Sequence, residues 1–457
     1  MSSNKTSHKI RARESNADGT ASRRAALALL DGVLRRKVPL DDLLGDSGDR
    51  SAVAKLTPRD RAHARLLTTT TLRRLGQIDK ILKGLMTHPK RARKVQNILR
   101  LGAAQLLFLD TPPHAAVNSA VQLTEATARP FKGMVNAILR RIDRERDAFL
   151  AQPETAAEQN TPDWLWQSWT RTYGAERARA IADAHLITPP LDLTPRSPDS
   201  NADLAKSLEA ETLPNGSLRR TAGGRVDELP GFADGLWWVQ DAAAAIPARL
   251  LGDVTGLDLK GQCGVDLCAA PGGKTAQLAA MGAQVIAVDR DQRRLDRLAK
   301  NMKRLDLTAE IVCADTTKWR PADLLDFALL DAPCSATGTL RRHPDIARLK
   351  SPEDIASLAT LQSRMLNAAA KMIKPGGLLV YCTCSLQPEE GPDRIAEFLA
   401  SHPSFKRAPV QAAELPGLKD AITASGDVRT LPSHWAERGG IDGFYICRMR
   451  LAGDQAS

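Results

Sequence analysis

The stretch Cys263-Gly-Val-Asp-Leu-Cys-Ala-Ala-Pro-Gly-Gly-Lys-Thr275 decides the fold. Its apolar run, Cys263 to Cys268, reads as a short buried strand, the Pro-Gly-Gly after it as a turn, and the residues from Lys274 onward as a helix. The pattern then repeats. Gln284 to Asp289, Ala309 to Cys313, Phe327 to Asp331 and Leu378 to Cys382 are further short strands, with helical stretches between most of them. Such alternation predicts an α/β doubly wound, Rossmann-like domain over 236–452, with a mostly parallel sheet whose ligands gather at the carboxyl ends of the strands.

Upstream the texture changes. Residues 161–235 read as a small α+β middle domain: helices around Trp164, Trp166 and Trp169, read as core residues, then short strands broken at Pro214-Asn-Gly216 and Gly223-Gly224. Before it, 150–160 is polar and lacks periodicity, which marks a linker. Residues 21–149 are all-α, with apolar residues at helical spacing in Ala25, Leu29, Leu30 and Val33 and again in Ile98, Leu101, Leu106 and Leu109. Breaks at Pro39, Pro58, Pro89, Pro112-Pro113 and Pro130 divide it into the short helices of a compact bundle. Residues 1–20 read as a disordered basic tail without the apolar core of a signal peptide.

Composition bounds the function. The 457 residues carry 43% hydrophobic and 26% charged residues, and no apolar run approaches the roughly 20 needed to cross a bilayer, so no membrane role is expected. The seven cysteines, at 263, 268, 313, 334, 382, 384 and 447, are odd in number and include no C-x-x-C pair. This pattern suits reduced thiols in the cytoplasm and excludes a disulfide framework or a zinc ribbon; the eight scattered histidines offer no metal site. The net charge of +11 is uneven, since residues 1–150 hold 29 Lys and Arg against 14 Asp and Glu, a net of +15, which leaves −4 for the rest. A basic module on a nearly neutral one fits an enzyme that acts on a polyanion. Its candidate phosphate contacts are His88-Pro-Lys-Arg-Ala-Arg-Lys94 and Arg140, Arg141, Arg144 and Arg146. A monomer is expected.

The strand ends carry the chemistry. The loop from Asp266 to Thr275 is neither the G-x-G-x-x-G of a dinucleotide enzyme nor a Walker loop, yet its glycines and the helix start beyond suit a cofactor. Asp289, closing the second strand, stands where an acid takes ribose hydroxyls, and Asp315, after the third, where one accepts from an adenine amino group. Each acid has a plainer reading as a helix cap. Three in register behind a glycine loop favour a nucleoside cofactor. The fourth strand leads into Asp331-Ala-Pro-Cys-Ser-Ala-Thr-Gly338 and the fifth into Tyr381-Cys-Thr-Cys-Ser385, so two thiols meet the cofactor face. Such thiols suit methylation at C5 of cytosine, a poor nucleophile until a thiolate adds at C6. One cysteine must add, the C5 proton must later leave, and an acid at Asp331 would hydrogen-bond N3 or the exocyclic amine.

Asp-Leu-Cys-Ala-Ala-Pro-Gly-Gly-Lys-Thr, Asp-Ala-Pro-Cys-Ser-x-Thr-Gly, Arg-Arg-His-Pro-Asp and Thr-Cys-Ser-x-x-Pro-Glu-Glu closely resemble the signature of the RsmB/Sun (Fmu) group of RNA 5-cytosine methyltransferases, over about 236–450. The basic helical region resembles the NusB-like RNA-binding domain that bacterial rRNA members carry. The resemblance implies an S-adenosylmethionine-dependent methyltransferase acting on small-subunit (16S) ribosomal RNA. By position it makes Cys384 the nucleophile and gives Cys334 a part in product release. Cys268, Ala269, Ala270, Pro271, Gly272, Gly273, Lys274, Asp289, Asp315 and Asp331 would form the cofactor site, with Asp331 also catalytic. The middle domain would help hold RNA beside them.

Two positions depart from the pattern. Ala336 stands where that group commonly has Gly, and Cys382, two residues before Cys384, would face the same side of an extended strand. The same chemistry on tRNA is an alternative, as is an RNA-binding assembly factor with an inert methyltransferase domain, though both thiols and the Gly-Gly-Lys loop are intact.

Overall fold

The structure, a computed structural model, describes residues 20–45, 51–86, 94–151, 155–197, 201–252 and 258–453. They fall into two compact units, one reaching to Gln167 and taking in His343–Lys350, the other comprising Ser168–Arg342 and the chain from Ser351.

The first unit is helical, over 20–34, Leu40–Gly45, Pro58–Arg73, Leu75–Leu85, Gln96–Phe108, Pro113–Ala128 and Lys132–Arg144. Helix Gln96–Phe108 is buried on nearly every side, through Ile98, Leu99, Leu101, Ala104 and Leu106, and forms the centre of the bundle. Gly102 allows its neighbour to approach, because a Cβ there would lie 2.6 Å from Leu139 Cδ1. Ala25, Leu29, Leu30 and Val33 are buried in the same core, whereas Leu109 only packs against it. Prolines open helices, as where Thr57 caps Pro58–Arg73 by accepting from the Asp60 amide at 3.1 Å.

The stretch read as a linker holds a helical turn, Ala156–Asn160. Asn160 accepts from the Gln77 amide at 3.1 Å and donates to Gln77 Oε1 at 2.8 Å. Its anchorage is polar, so hydrophobic periodicity does not reveal it. His343–Lys350 is held similarly: Asp345 accepts from the Leu40 amide at 2.9 Å, and the Arg348 carbonyl accepts from Lys37 at 2.9 Å. Of the expected phosphate contacts, His88 through Arg93 lie outside the described residues, as do residues 1–19 of the tail. Arg141 and Arg144 pair with Glu145 and Arg146 with Asp110, leaving Arg140, on Asn136, without an acid among the described residues.

The second unit has two sheets. Strands β1 (Leu191–Pro195), β2 (Glu211–Thr212), β3 (Leu218–Arg220) and β4 (Trp237–Val239) form a small antiparallel sheet in the order β2-β3-β1-β4. β4 lies past the boundary expected at residue 235. Leu193, Leu218 and Trp237 are its core, and Asp192 and Arg219 form a buried ion pair at 2.7 Å.

The large sheet contains β5 (Cys263–Leu267), β6 (Gln284–Asp289), β7 (Glu310–Cys313), β8 (Leu325–Asp331), β9 (Ile373–Thr383), β10 (Phe405–Arg407), β11 (Val428–Thr430) and β12 (Phe444–Leu451). Its order is β10-β12-β9-β8-β5-β6-β7, with β11 paired to β12. The run from β9 to β7 is parallel, as the sequence predicts, while β12 runs antiparallel beside β9. From β5 the chain builds outward through β6 and β7, then returns to place β8 on the other flank. That reversal makes the carboxyl ends of β5 and β8 a switch point, where doubly wound sheets open a crevice.

Candidate active site

A cavity of about 460 Å³ opens at this switch point. Its wall includes the backbone loop Ala269 to Gly273, with Asp266, Lys274, Asp331 and Cys384. Gly272 needs its glycine, since its φ is +103° and a Cβ would meet Leu298 Cγ at 2.8 Å. The close approach at that glycine is therefore to a packed helix. The backbone then turns into helix Gly273–Ala280. Asp266 is buried at the end of β5 and accepts from Thr275 Oγ1 at 2.6 Å, while its Oδ1 has no hydrogen-bond partner. Burial pushes its pKa up to about 7, against the opposing pull of Thr275 and Lys274.

Lys274 reaches across to Asp331 Oδ2 at 2.7 Å, above the Phe444 ring. Burial alone would lower the lysine's pKa, but Asp331 and the other acidic neighbours outweigh it and hold the ammonium charged. The ion pair fixes a carboxylate with an acceptor edge in the cavity.

The two expected cysteines converge, with Cys334 Sγ 3.5 Å from Cys384 Sγ. Cys384 lies just past the end of β9 and lines the cavity, whereas Cys334, on the loop after β8, stands behind it. The hydrogen bond to Cys384, with burial, pushes the Cys334 thiol well above its usual pKa. Burial and the neighbouring sulfur therefore favour the thiol form of Cys334, which faces the Cys384 sulfur. Cys382 is fully buried within β9, its Sγ 3.6 Å from Asp331 Oδ1, and does not line the cavity. Burial likewise pushes the Cys268 thiol up to about 12.

Three expected cofactor residues, Cys268, Asp289 and Asp315, lie at the ends of β5, β6 and β7 but do not line this cavity. Asp289 accepts from the amides of Ala270 at 3.2 Å and Asp291 at 3.0 Å, holding the β5 loop to β6. Asp315 is exposed, and its Oδ1 accepts from the amide and hydroxyl of Thr317 at 2.9 and 2.7 Å, the turn-capping role its sequence also allows. Its other oxygen has no partner among the described residues. The donor set fits a cationic nucleoside cofactor: a bare loop backbone, an orphaned buried carboxyl oxygen at Asp266 and several acids.

Residues 257–450 match the family described as 16S rRNA methyltransferase RsmB/F, and residues 20–144 match the NusB family. The chain is 39% identical to the ribosomal RNA small subunit methyltransferase B of Sodalis glossinidius, over 82% of this chain and 89% of that one. It is 38% identical to the protein of that name from Klebsiella pneumoniae, over 86% and 91%. The chain belongs to the RsmB/F family of 16S rRNA methyltransferases. The crystal structure of PH0851 shares the fold, with a TM-score of 0.70 at 23% identity over 94% of this chain and 98% of that one.

Within the RsmB/F frame, two groups escape sequence reading. Glu390, of the Pro-Glu-Glu that ends the Thr-Cys-Ser motif, is fully buried and ties both cysteine loops together. It accepts from the Ser335 amide at 2.9 Å, the Ser335 hydroxyl, the Ser385 hydroxyl at 2.6 Å and Gln362 Nε2 at 3.1 Å. Ser335 and Ser385 each follow one cysteine, so one carboxylate sets the spacing of both sulfurs. The second group is a buried charge network in which Arg341 faces Asp241 at 3.2 Å and Asp442 at 3.3 Å. Arg342 pairs with Asp442 and lines the cavity. Burial, with the negative charge of Asp442, raises the Asp241 pKa to about 7. Arg341 and Arg342 open the Arg-Arg-His-Pro-Asp motif, but Asp241 and Asp442 have no local motif to betray them.

Proposed function

We propose that this enzyme transfers a methyl group from S-adenosylmethionine to C5 of a cytosine in small-subunit rRNA, through a covalent bond between Cys384 and C6. The observation that carries the reading is the pair of sulfurs 3.5 Å apart, with Cys384 on a cavity shared with the Asp331–Lys274 pair. Ala269 to Lys274 would hold the cofactor, with Cys268 and Asp289 supporting that loop and Asp315 accepting from the adenine amine. Bound there, the cofactor supplies an electrophilic methyl group on a sulfonium.

Asp331, fixed by Lys274, accepts a hydrogen bond from the exocyclic amine or, when protonated, donates its proton to N3, which offsets the negative charge that collects there when Cys384 adds. Cys384 gives up its thiol proton as the Sγ–C6 bond forms, and the ring electrons displaced toward C5 take the methyl group as the bond that held it to the sulfonium breaks, its electrons staying on that sulfur. In release the C5 proton passes to a base, such as a water molecule, the C5=C6 bond re-forms, and the Sγ–C6 electrons leave with the Cys384 sulfur, against which Cys334 is placed. The base must be flipped or unpaired, because attack on C6 comes from above the ring. A cytoplasmic monomer suits the chain, in which all seven thiols are free.

Methyl transfer from labelled S-adenosylmethionine to 16S rRNA, followed by bisulfite sequencing of the product, tests the reading. One protected cytosine with the native enzyme and none with Cys384→Ala supports it; an active Cys384→Ala protein overturns it.

A further inference from the structure

Helix Gln292–Arg304, which follows β6, carries Arg293, Arg297, Lys300 and Arg304 at spacings of four, three and four residues. At about 100° per residue these fall in one row, roughly 16 Å long at 1.5 Å per residue. Leu295, Leu298 and Met302 on the opposite side are buried, so the row points outward. Arg293, Arg297 and Lys300 are exposed, and no carboxylate pairs with them among the described residues. The acids beside them are otherwise engaged, since Asp291 caps the helix and Asp296 accepts from Gln292 at 2.9 Å.

The fourth member is different. Arg304 donates to the carbonyls of Phe232 at 2.8 Å and Trp237 at 3.1 Å and lies 4.2 Å from the centre of the Phe232 ring. With Asn301 it forms part of the wall of the same cavity that Cys384 lines. A row of free cations thus runs into the catalytic cavity over a fixed arginine. Val239, an apolar side chain 48% exposed, also lines the cavity.

We propose that this row is the track of the substrate RNA strand as it leaves the cavity: the nucleotide beside the target passes over Asn301 and Arg304, and the phosphates beyond it lie along Lys300, Arg297 and Arg293. The inference rests on the reading of RNA as substrate and adds where the strand runs. The cations are spaced along one line and unpaired, as contacts to a linear polyanion must be, whereas a merely solvated helix face gains from pairing its acids and bases.

The test is the full-length triple variant Arg293→Ala/Arg297→Ala/Lys300→Ala against a charge-matched control, Lys371→Ala/Lys406→Ala/Lys419→Ala, which removes three exposed cations elsewhere on the same unit. Alanine favours helix at exposed sites, so folding is not at risk. Binding of a 16S rRNA fragment is measured over a salt series. Each lost single-strand phosphate contact lowers the slope of log K against log salt by about 0.7, so the row variant should lose about 2 in slope and on the order of 100-fold in affinity at 0.1 M salt. The control should match the native protein. In methyl transfer the KM for RNA rises while kcat at saturating RNA and the affinity for S-adenosylmethionine hold. Equal slopes for the two variants overturn the track while leaving the enzyme reading intact. A native protein that neither binds nor methylates the fragment removes both.

Discussion

Replacing Glu390 separates its role as a spacer of the two thiols from any direct part in chemistry. In Glu390→Ala the Ser335 and Ser385 hydroxyls can still pair, being 3.1 Å apart, and Gln362 Nε2 keeps the Pro333 carbonyl at 2.9 Å. The Ser335 amide, fully buried, has no such substitute. One stranded donor costs about 1–3 kcal/mol, and the emptied volume adds to it, so a total loss of about 2–4 kcal/mol is expected in urea denaturation. Glu390→Gln fills the same space, keeps an acceptor for the amide and donates to the hydroxyls, so its loss should be about 1 kcal/mol. Glu390→Ala lets the sulfurs drift, and a displacement of about 1 Å can cost on the order of 100-fold in rate, whereas Glu390→Gln should keep most of the rate. Binding of S-adenosylmethionine should hold, since Glu390 does not line the cavity. A Glu390→Ala protein with native stability and native kcat would refute the reasoning.

Other positions give sharp expectations. Arg341→Met strands Asp241 in the interior, while Asp442 keeps Arg342, and should cost about 3–5 kcal/mol by the same denaturation assay; a loss below 1 kcal/mol would mean that Asp241 is satisfied without it. Ala336 adopts φ +58°, the left-handed region, which explains why glycine suits this loop; Ala336→Gly should gain about 0.5–1 kcal/mol with activity kept, and a loss in melting temperature would contradict the strain. Asp266 has its folded pKa raised from 3.8 to about 7, so its protonated form contributes stability that is full below about pH 4 and is lost as the pH rises through 7. Asp266→Asn removes that dependence, and its stability should gain on the native protein by up to about 4 kcal/mol between pH 4 and 8; parallel pH profiles would show that Asp266 ionises normally.

Much of the architecture was legible because it rests on local signals. β6 is bounded as its apolar run predicts, and β5 and β8 lie within two residues of expectation. β9 begins earlier than its reading, at Ile373, because Lys374-Pro-Gly-Gly377 looks like a turn although the backbone continues the strand. β12 escaped notice because charged residues interrupt its pattern. One of them, Arg448, is buried against Glu414 at 2.7 Å, a partner no periodicity reveals. In the site, the thiols and the loop before Lys274 sit in short motifs and could be read directly. Glu390 stood inside a quoted motif, yet its role depends on two loops that only the sheet brings together. Asp241 and Asp442 are united across 200 residues by tertiary packing alone, and the exposed place of Asp315 follows from a turn that its own side chain closes.

The central claim is that Cys384, and neither of the cysteines near it, bonds to the base. The direct measurement is mass spectrometry of the Cys334→Ala protein incubated with 16S rRNA and S-adenosylmethionine, then digested with nuclease and protease. The account predicts a methylated cytidine nucleotide retained on the peptide that contains Cys384. A nucleotide on Cys382, or turnover at the native rate with no adduct retained, would contradict it.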